Sequence, residues 1–197
     1  MPLIRIDDLG DGVRMGLWQM TEPIDALPVP PAVDLVDVRT EKRRREVLTS
    51  YSLLKALAGA DLLIRHASNG SPLVDGLSIS LSHTLGWAAM VVGDSSKRLG
   101  IDIEYYSDRV NKIADRFIRP DEQSSSLAYR LVNWSMKETV YKALTEEDLM
   151  YSEMRLTHYD VGKSGKVAVE DLKCGRHVEA KYILNADYVL TWAVMER

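Results

Sequence analysis

Three acidic residues and one lysine form the sharpest chemical pattern in this chain. In Gly100-Ile101-Asp102-Ile103-Glu104, alternate side chains of an extended segment share a face, so Asp102 and Glu104 project together while Ile101 and Ile103 point into a core. Two carboxylates about 7 Å apart along a strand can share a hard divalent cation. Magnesium suits such a pair, because it prefers oxygen ligands and usually takes one or two protein carboxylates with phosphate and water. The same pattern also fits an ordinary amphipathic strand with a wet acidic face. Further on, Trp134-Ser135-Met136-Lys137-Glu138-Thr139-Val140-Tyr141-Lys142 has helical spacing that puts Trp134, Glu138 and Lys142 on one face. Alone, Glu138 and Lys142 make an everyday i,i+4 ion pair. Beside the strand carboxylates, a Glu can complete a metal site while the amine neutralises a phosphate.

Other segments carry weaker signals. Ser78-Ile79-Ser80-Leu81-Ser82-His83-Thr84 reads as a strand whose end presents Ser82 and His83. Without a Gly-x-Ser-x-Gly elbow, sequence adjacency is not a catalytic triad, and the pair serves equally to hold a phosphate or to structure the fold. The dense basic run of Arg39 with Lys42-Arg43-Arg44-Arg45 is either a solvated helix start or an anion site. In Arg116-Phe117-Ile118-Arg119-Pro120-Asp121-Glu122, proline ends a helix and Glu122 caps it or approaches a site. His66, His158 and His177 have no ligand spacing with Cys174, which excludes zinc on sequence grounds.

These residues need elements to hold them. A strand over 13–20 and an irregular stretch marked by Pro23, Pro28, Pro30 and Pro31 precede a helix that Thr40 caps and Gly59 ends. Short strands follow over 62–65, 77–81, 87–92 and 99–105, with a turn at 69–72. Helices are expected over 109–118 and 127–144, the latter capped among Ser124, Ser125 and Ser126. Three or four antiparallel strands fill 151–195, turning near 162–165 and at Cys174-Gly175. With 197 residues, 46% hydrophobic and net charge -4, the chain can bury a core without staples. It shows no disordered or collagen-like composition, and one cysteine fits a reducing, cytoplasmic setting. Mild acidity argues against nucleic acid as a partner. The N-terminus lacks a signal-peptide layout, and no run reaches the roughly 18 apolar residues that span a bilayer.

In order and separation, Ser80 to Thr84, Leu99 to Glu104, Phe117 to Glu122 and Trp134 to Lys142 together resemble the 4′-phosphopantetheinyl transferase superfamily, in its surfactin-synthetase-activating type. The resemblance covers residues 39–145. It implies an α+β chain of two pseudo-symmetric α/β halves, each a small antiparallel sheet packed with a long helix. The implied halves are 1–98, on the coenzyme A phosphate side, and 99–197, on the magnesium side, with the active site at their interface. The implied reaction moves the 4′-phosphopantetheine arm of coenzyme A onto a serine of an apo acyl or peptidyl carrier protein, with magnesium, releasing 3′,5′-ADP. By the same resemblance, Asp102, Glu104 and Glu138 match magnesium ligands, and Lys142 matches a lysine near the diphosphate and the attacking hydroxyl. Glu122 matches an acidic residue proposed as general base, and Ser82 and His83 match a pair near the coenzyme's 3′-phosphate. Arg43 opens an Arg-x-x-Glu-x-Leu pattern continued by Glu46 and Leu48 on a coenzyme-facing helix. A monomer is implied, because two fused halves already form a pseudo-dimer. Two positions depart from the family: Ser71 stands where Gly-Lys-Pro is common, and Tyr51 where an Arg is common. They keep open a non-catalytic relative that binds coenzyme A or a carrier.

Overall fold

The computed structural model describes residues 2–31, 33–36 and 38–197. Two compact units, 1–97 and 98–197, divide the chain. Each is α+β, with a sheet and one long helix.

In the first unit, β1 (Leu3–Gly10) and β2 (Val13–Gln19) form a hairpin, and the turn Gly10-Asp11-Gly12 has positive φ at all three residues. Such a backbone favours glycine. The helix α1 (Glu41–Ala58) starts where the Thr40 side chain accepts from Arg43 N at 3.2 Å and stops at Gly59, which is left-handed at φ 75°. Short β3 (Arg65–His66) and β4 (Pro72–Leu73) pair with each other, then β5 (Leu77–Thr84) and β6 (Trp87–Asp94) follow. Sheet order is β1-β2-β6-β5, every neighbour antiparallel. α1 lies on β6 and β2 and buries Leu48, Leu53, Leu54 and Leu57 against Trp18, Ala88, Met90 and Val92.

The second unit takes up β7 (Lys97–Tyr105), α2 (Ala114–Phe117), α3 (Leu127–Ala143), β8 (Met154–Leu156), β9 (Ser164–Asp171), β10 (Arg176–Leu184) and β11 (Tyr188–Glu196). The sheet runs β7-β11-β10-β9-β8, with antiparallel pairing from β11 through β8. α3 begins at Ser126, whose hydroxyl accepts from Tyr129 N, and rests on β11, β10 and β9. Its core joins Leu131, Val132, Met136 and Val140 to Val167, Val169, Val178 and Val189.

Four sequence expectations shift. β1 was not anticipated, because its acidic end hides the alternation. The strand expected over 62–65 reduces to the two-residue ladder of β3. The helix expected over 109–118 breaks in two: a 3-10 turn at Asp108–Lys112 drops Val110 into the core, and α2 restarts after Ile113, whose φ of -121° interrupts the ladder. Gly165, expected in a turn, lies inside β9 and leaves room for the Tyr182 ring. Among the described residues, no helix is long and apolar enough to cross a membrane.

Gly100 positions the site. A methyl group there would overlap the backbone carbonyl oxygen of Thr139 on α3, so β7 and α3 meet this closely only without a side chain at 100. Overpacking against backbone costs about 1–3 kcal/mol or more. Gly100→Ala is therefore expected to lower the thermal midpoint by several degrees; an unchanged midpoint would show that the contact is loose.

Candidate functional site

β7 puts Gly100, Asp102 and Glu104 on the face turned to α3, while Ile101 and Ile103 are fully buried on the other. From α3, Lys142 Nζ donates to Asp102 Oδ1 at 2.8 Å and to the Ile101 carbonyl at 3.1 Å. Each of the three carboxylates also has a neutral donor. Ser135 Oγ donates to Asp102 Oδ2 at 2.9 Å, Trp134 Nε1 donates to Glu104 Oε1 at 2.9 Å, and the Tyr151 hydroxyl donates to Glu138 Oε1. Ser135 is fully buried and is braced in turn by Thr191 of β11, whose hydroxyl donates to the Ser135 carbonyl at 2.9 Å. The structure thus brings Asp102, Glu104, Glu138 and Lys142 together.

The cluster assembled within this unit holds three carboxylates and one ammonium. Burial, then the charge of Asp102, pushes Glu104 up to about 7, with Trp134 and Lys142 pulling the other way. Glu138 is raised by burial and by Asp102, against the pull of Tyr151 and Lys142, and the Tyr151 hydroxyl is raised by its own burial and by Glu138. A surplus of buried negative charge on hard oxygen donors fits a divalent cation such as magnesium. The trio is more open than a closed cage: among the described residues, the three ligand atoms found within 4.8 Å of one another are those of Glu147, Asp171 and Cys174. That tighter cluster already has its cations, since Glu147 Oε1 accepts from Arg98 at 3.1 Å and from Arg176. Magnesium–oxygen bonds of about 2.0–2.1 Å keep ligating oxygens within about 4.2 Å of each other, so the three carboxylates share one ion only by closing in on it or by reaching it through bound water.

A pH dependence follows. Glu104 has an ordinary value of 4.5, so the unfolded chain loses this proton near 4.5 and the folded protein holds it to about 7. Raised pKa means the folded state binds the proton more tightly, so this group's contribution to stability declines as pH rises from 4.5 through 7. A cation that needs the carboxylates deprotonated should offset that decline. Magnesium is expected to raise the thermal midpoint more at pH 8 than at pH 5.5; equal shifts would contradict the site.

Glu122, expected as a base, is placed elsewhere. Its side chain is 0% exposed and ion-paired with the equally buried Lys137 at 2.8 Å. Oε2 also accepts from Arg119 N at 2.8 Å and Oε1 from Leu156 N at 2.7 Å. Lys137 Nζ further donates to the carbonyls of Phe117 at 2.6 Å and Tyr151 at 3.2 Å. Burial lowers the Lys137 pKa, and Glu122 opposes the shift. With both oxygens engaged and no exposed surface, Glu122 is built as a structural ion pair rather than a base facing a substrate.

In the first unit, strand alternation turns Ser82 and His83 to opposite faces of β5. His83 Nε2 lies 2.8 Å from Ser50 Oγ on α1, and Ser50 donates its own proton to the Glu46 carbonyl at 2.9 Å. The serine therefore accepts from the imidazole, opposite to an activated nucleophile. Arg43, two helical turns before Ser50, shares its face and pairs with Glu46 at 3.1 Å. Arg45 pairs with Glu41 at 2.9 Å, and Arg44 donates to the Val38 carbonyl at 2.7 Å. Exposed pairs of this kind are worth under about 1 kcal/mol, so an arriving anion can replace them.

Sequence reasoning missed Tyr151 and Ser135 as partners of the carboxylates, and Thr191 as the brace behind Ser135. Only Lys137 left a signal, as a charge among the apolar positions Met136 and Val140 that had to find a partner. Compared with known proteins, residues 98–193 match the family model described as the 4′-phosphopantetheinyl transferase superfamily. No curated protein matches the chain.

Proposed function

We propose that this chain, whose residues 98–193 match the family model of the 4′-phosphopantetheinyl transferase superfamily, transfers the 4′-phosphopantetheine arm of coenzyme A to a carrier-protein serine. The serine oxygen bonds to the phosphorus that bears the arm, the bond from that phosphorus to the nucleotide's bridging oxygen breaks, and 3′,5′-ADP leaves. The observation that carries this reading is the convergence of Asp102, Glu104, Glu138 and Lys142 from β7 and α3, each carboxylate with its own donor.

Asp102, Glu104 and Glu138 would hold magnesium, which when bound offsets charge on the transferring diphosphate. Phosphoryl transfer otherwise needs positioning and neutralisation more than covalent chemistry from the protein. Lys142, about a quarter exposed, neutralises phosphate oxygen while Asp102 keeps the amine in place. Trp134, Ser135 and Tyr151 fix the carboxylates before substrate arrives. Arg43 and His83, on the α1 side of β5, serve the coenzyme's 3′-phosphate, where cationic and neutral donors suit an anion, whereas the Ser82 side chain faces the other side of the strand. The proton of the attacking hydroxyl passes to solvent water, since both oxygens of Glu122 are engaged.

A second reading, a module that binds a carrier or coenzyme without turnover, is favoured by two positions in the first unit. The Ser71 hydroxyl donates to Asn69 Oδ1 at 2.7 Å, and the Tyr51 hydroxyl is spent on the Ile64 backbone, so neither supplies the cation missing there. Calorimetry separates the two. The transferase is expected to bind coenzyme A with magnesium-dependent affinity, whereas heat with a carrier and none with coenzyme A would favour the module.

A further inference from the structure

Trp134 and Ser135 sit on α3 among the carboxylates they serve, but Tyr151 does not. It lies in a 3-10 turn at Tyr151–Glu153, beyond the end of α3, and reaches back to Glu138. Two contacts of its own fix it there, and its neighbours and the turn are themselves braced. Its ring packs on Trp134 with centroids 5.3 Å apart, and Trp134 packs on Phe117 at 5.0 Å. Its carbonyl accepts from Lys137 Nζ, the ammonium that Glu122 holds. Glu153 closes the turn by accepting from Met150 N at 2.8 Å, and Lys173 anchors Glu153 at 3.1 Å. A tyrosine present only to fill space has no need of this arrangement, in which the one polar atom of the side chain is aimed at a carboxylate.

We propose that Tyr151 is a positioning residue for Glu138, holding that carboxylate in its ligating orientation before the cation binds. This rests on the reading of Glu138 as a metal ligand. Glutamate has three rotatable side-chain bonds, and an unrestrained one must be ordered by the ion itself. A phenol that donates to one oxygen, and that is locked by its own ring and carbonyl, removes that requirement. It also links the buried Glu122–Lys137 pair to the metal side: the pair holds the Tyr151 backbone, and Tyr151 holds Glu138. The role found for Glu122 is thus exerted at a distance, through Lys137 and the turn.

Outer-shell partners of ligands typically change metal affinity about 10- to 100-fold when removed. The test is titration of the full-length protein with Mn2+ alone, following free ion by electron paramagnetic resonance. Tyr151→Phe keeps the ring on Trp134 and loses only the hydroxyl. Its Kd for Mn2+ is expected to rise about 10-fold or more, with the metal-free thermal midpoint within a few degrees of wild type. A Kd within twofold of wild type overturns the inference. Glu138→Asp supplies a second arm, because the shortened carboxylate is withdrawn from the hydroxyl: adding Tyr151→Phe to it should change Kd less than twofold, and a full-sized loss there overturns the inference. A wild-type protein that binds no Mn2+ overturns the reading of the carboxylates as ligands, and the inference with it. Binding by wild type and equal binding by Tyr151→Phe overturn the inference alone.

Discussion

Replacing Asp102 by Asn should lower the rate of carrier modification by on the order of 10³-fold while the protein stays folded. Asp102 is 3% exposed and is the point where β7 and α3 are joined, receiving Ser135 on one oxygen and Lys142 on the other. Asparagine keeps the shape but offers one acceptor and a donor group. The oxygen is expected to stay with the buried Ser135, because Lys142 can turn to solvent and Ser135 cannot. One ligand charge and the anchor of the lysine are then lost together. Single-turnover transfer and thermal denaturation measure the two effects separately. A folded variant with a rate within threefold of wild type would remove Asp102 from the reacting centre.

The second large effect concerns stability. Removing one member of a buried ion pair strands the other charge, at a cost of about 3–5 kcal/mol. Glu122→Gln should therefore fall in that range, because the Lys137 ammonium, Arg119 N and Leu156 N all converge on its carboxylate. Adding Lys137→Met removes the stranded charge, so the double variant should be more stable than the sum of single losses predicts. Activity tells base from structural partner. Loss of a general base slows the folded enzyme by about 10²–10⁴-fold. A structural role predicts that Glu122→Gln, assayed cold enough to be folded, keeps its turnover within about tenfold of wild type, while its thermal midpoint falls.

These two residues also mark how far the sequence could be read. Asp102 was legible because strand periodicity is local: residues two apart share a face, and Glu138 and Lys142 follow from the helical period in the same way. The ends of α1 and α3 were legible for a related reason, since Thr40, Gly59 and Ser126 act within one turn. Glu122 was not. Its resemblance to a proposed base is a matter of position in the chain, whereas its partners Lys137 and Leu156 come from α3 and β8. Tyr151 was invisible for the same reason, as no local rule connects a 3-10 turn to a carboxylate 13 residues earlier. The broken helix around Ile113 shows the converse, where helical spacing of apolar residues yielded to the need to bury Val110 and Phe117 from a tight turn.

Phosphopantetheinyl transfer through the carboxylates of β7 and α3 would leave a covalent mark on the carrier. Mass spectrometry of an apo carrier protein, incubated with the full-length protein, coenzyme A and magnesium, tests it most directly. The predicted result is a gain equal to the phosphopantetheine arm on the carrier serine, abolished by chelator. A carrier of unchanged mass, across the carriers of the same organism and under conditions where a control enzyme works, would contradict it.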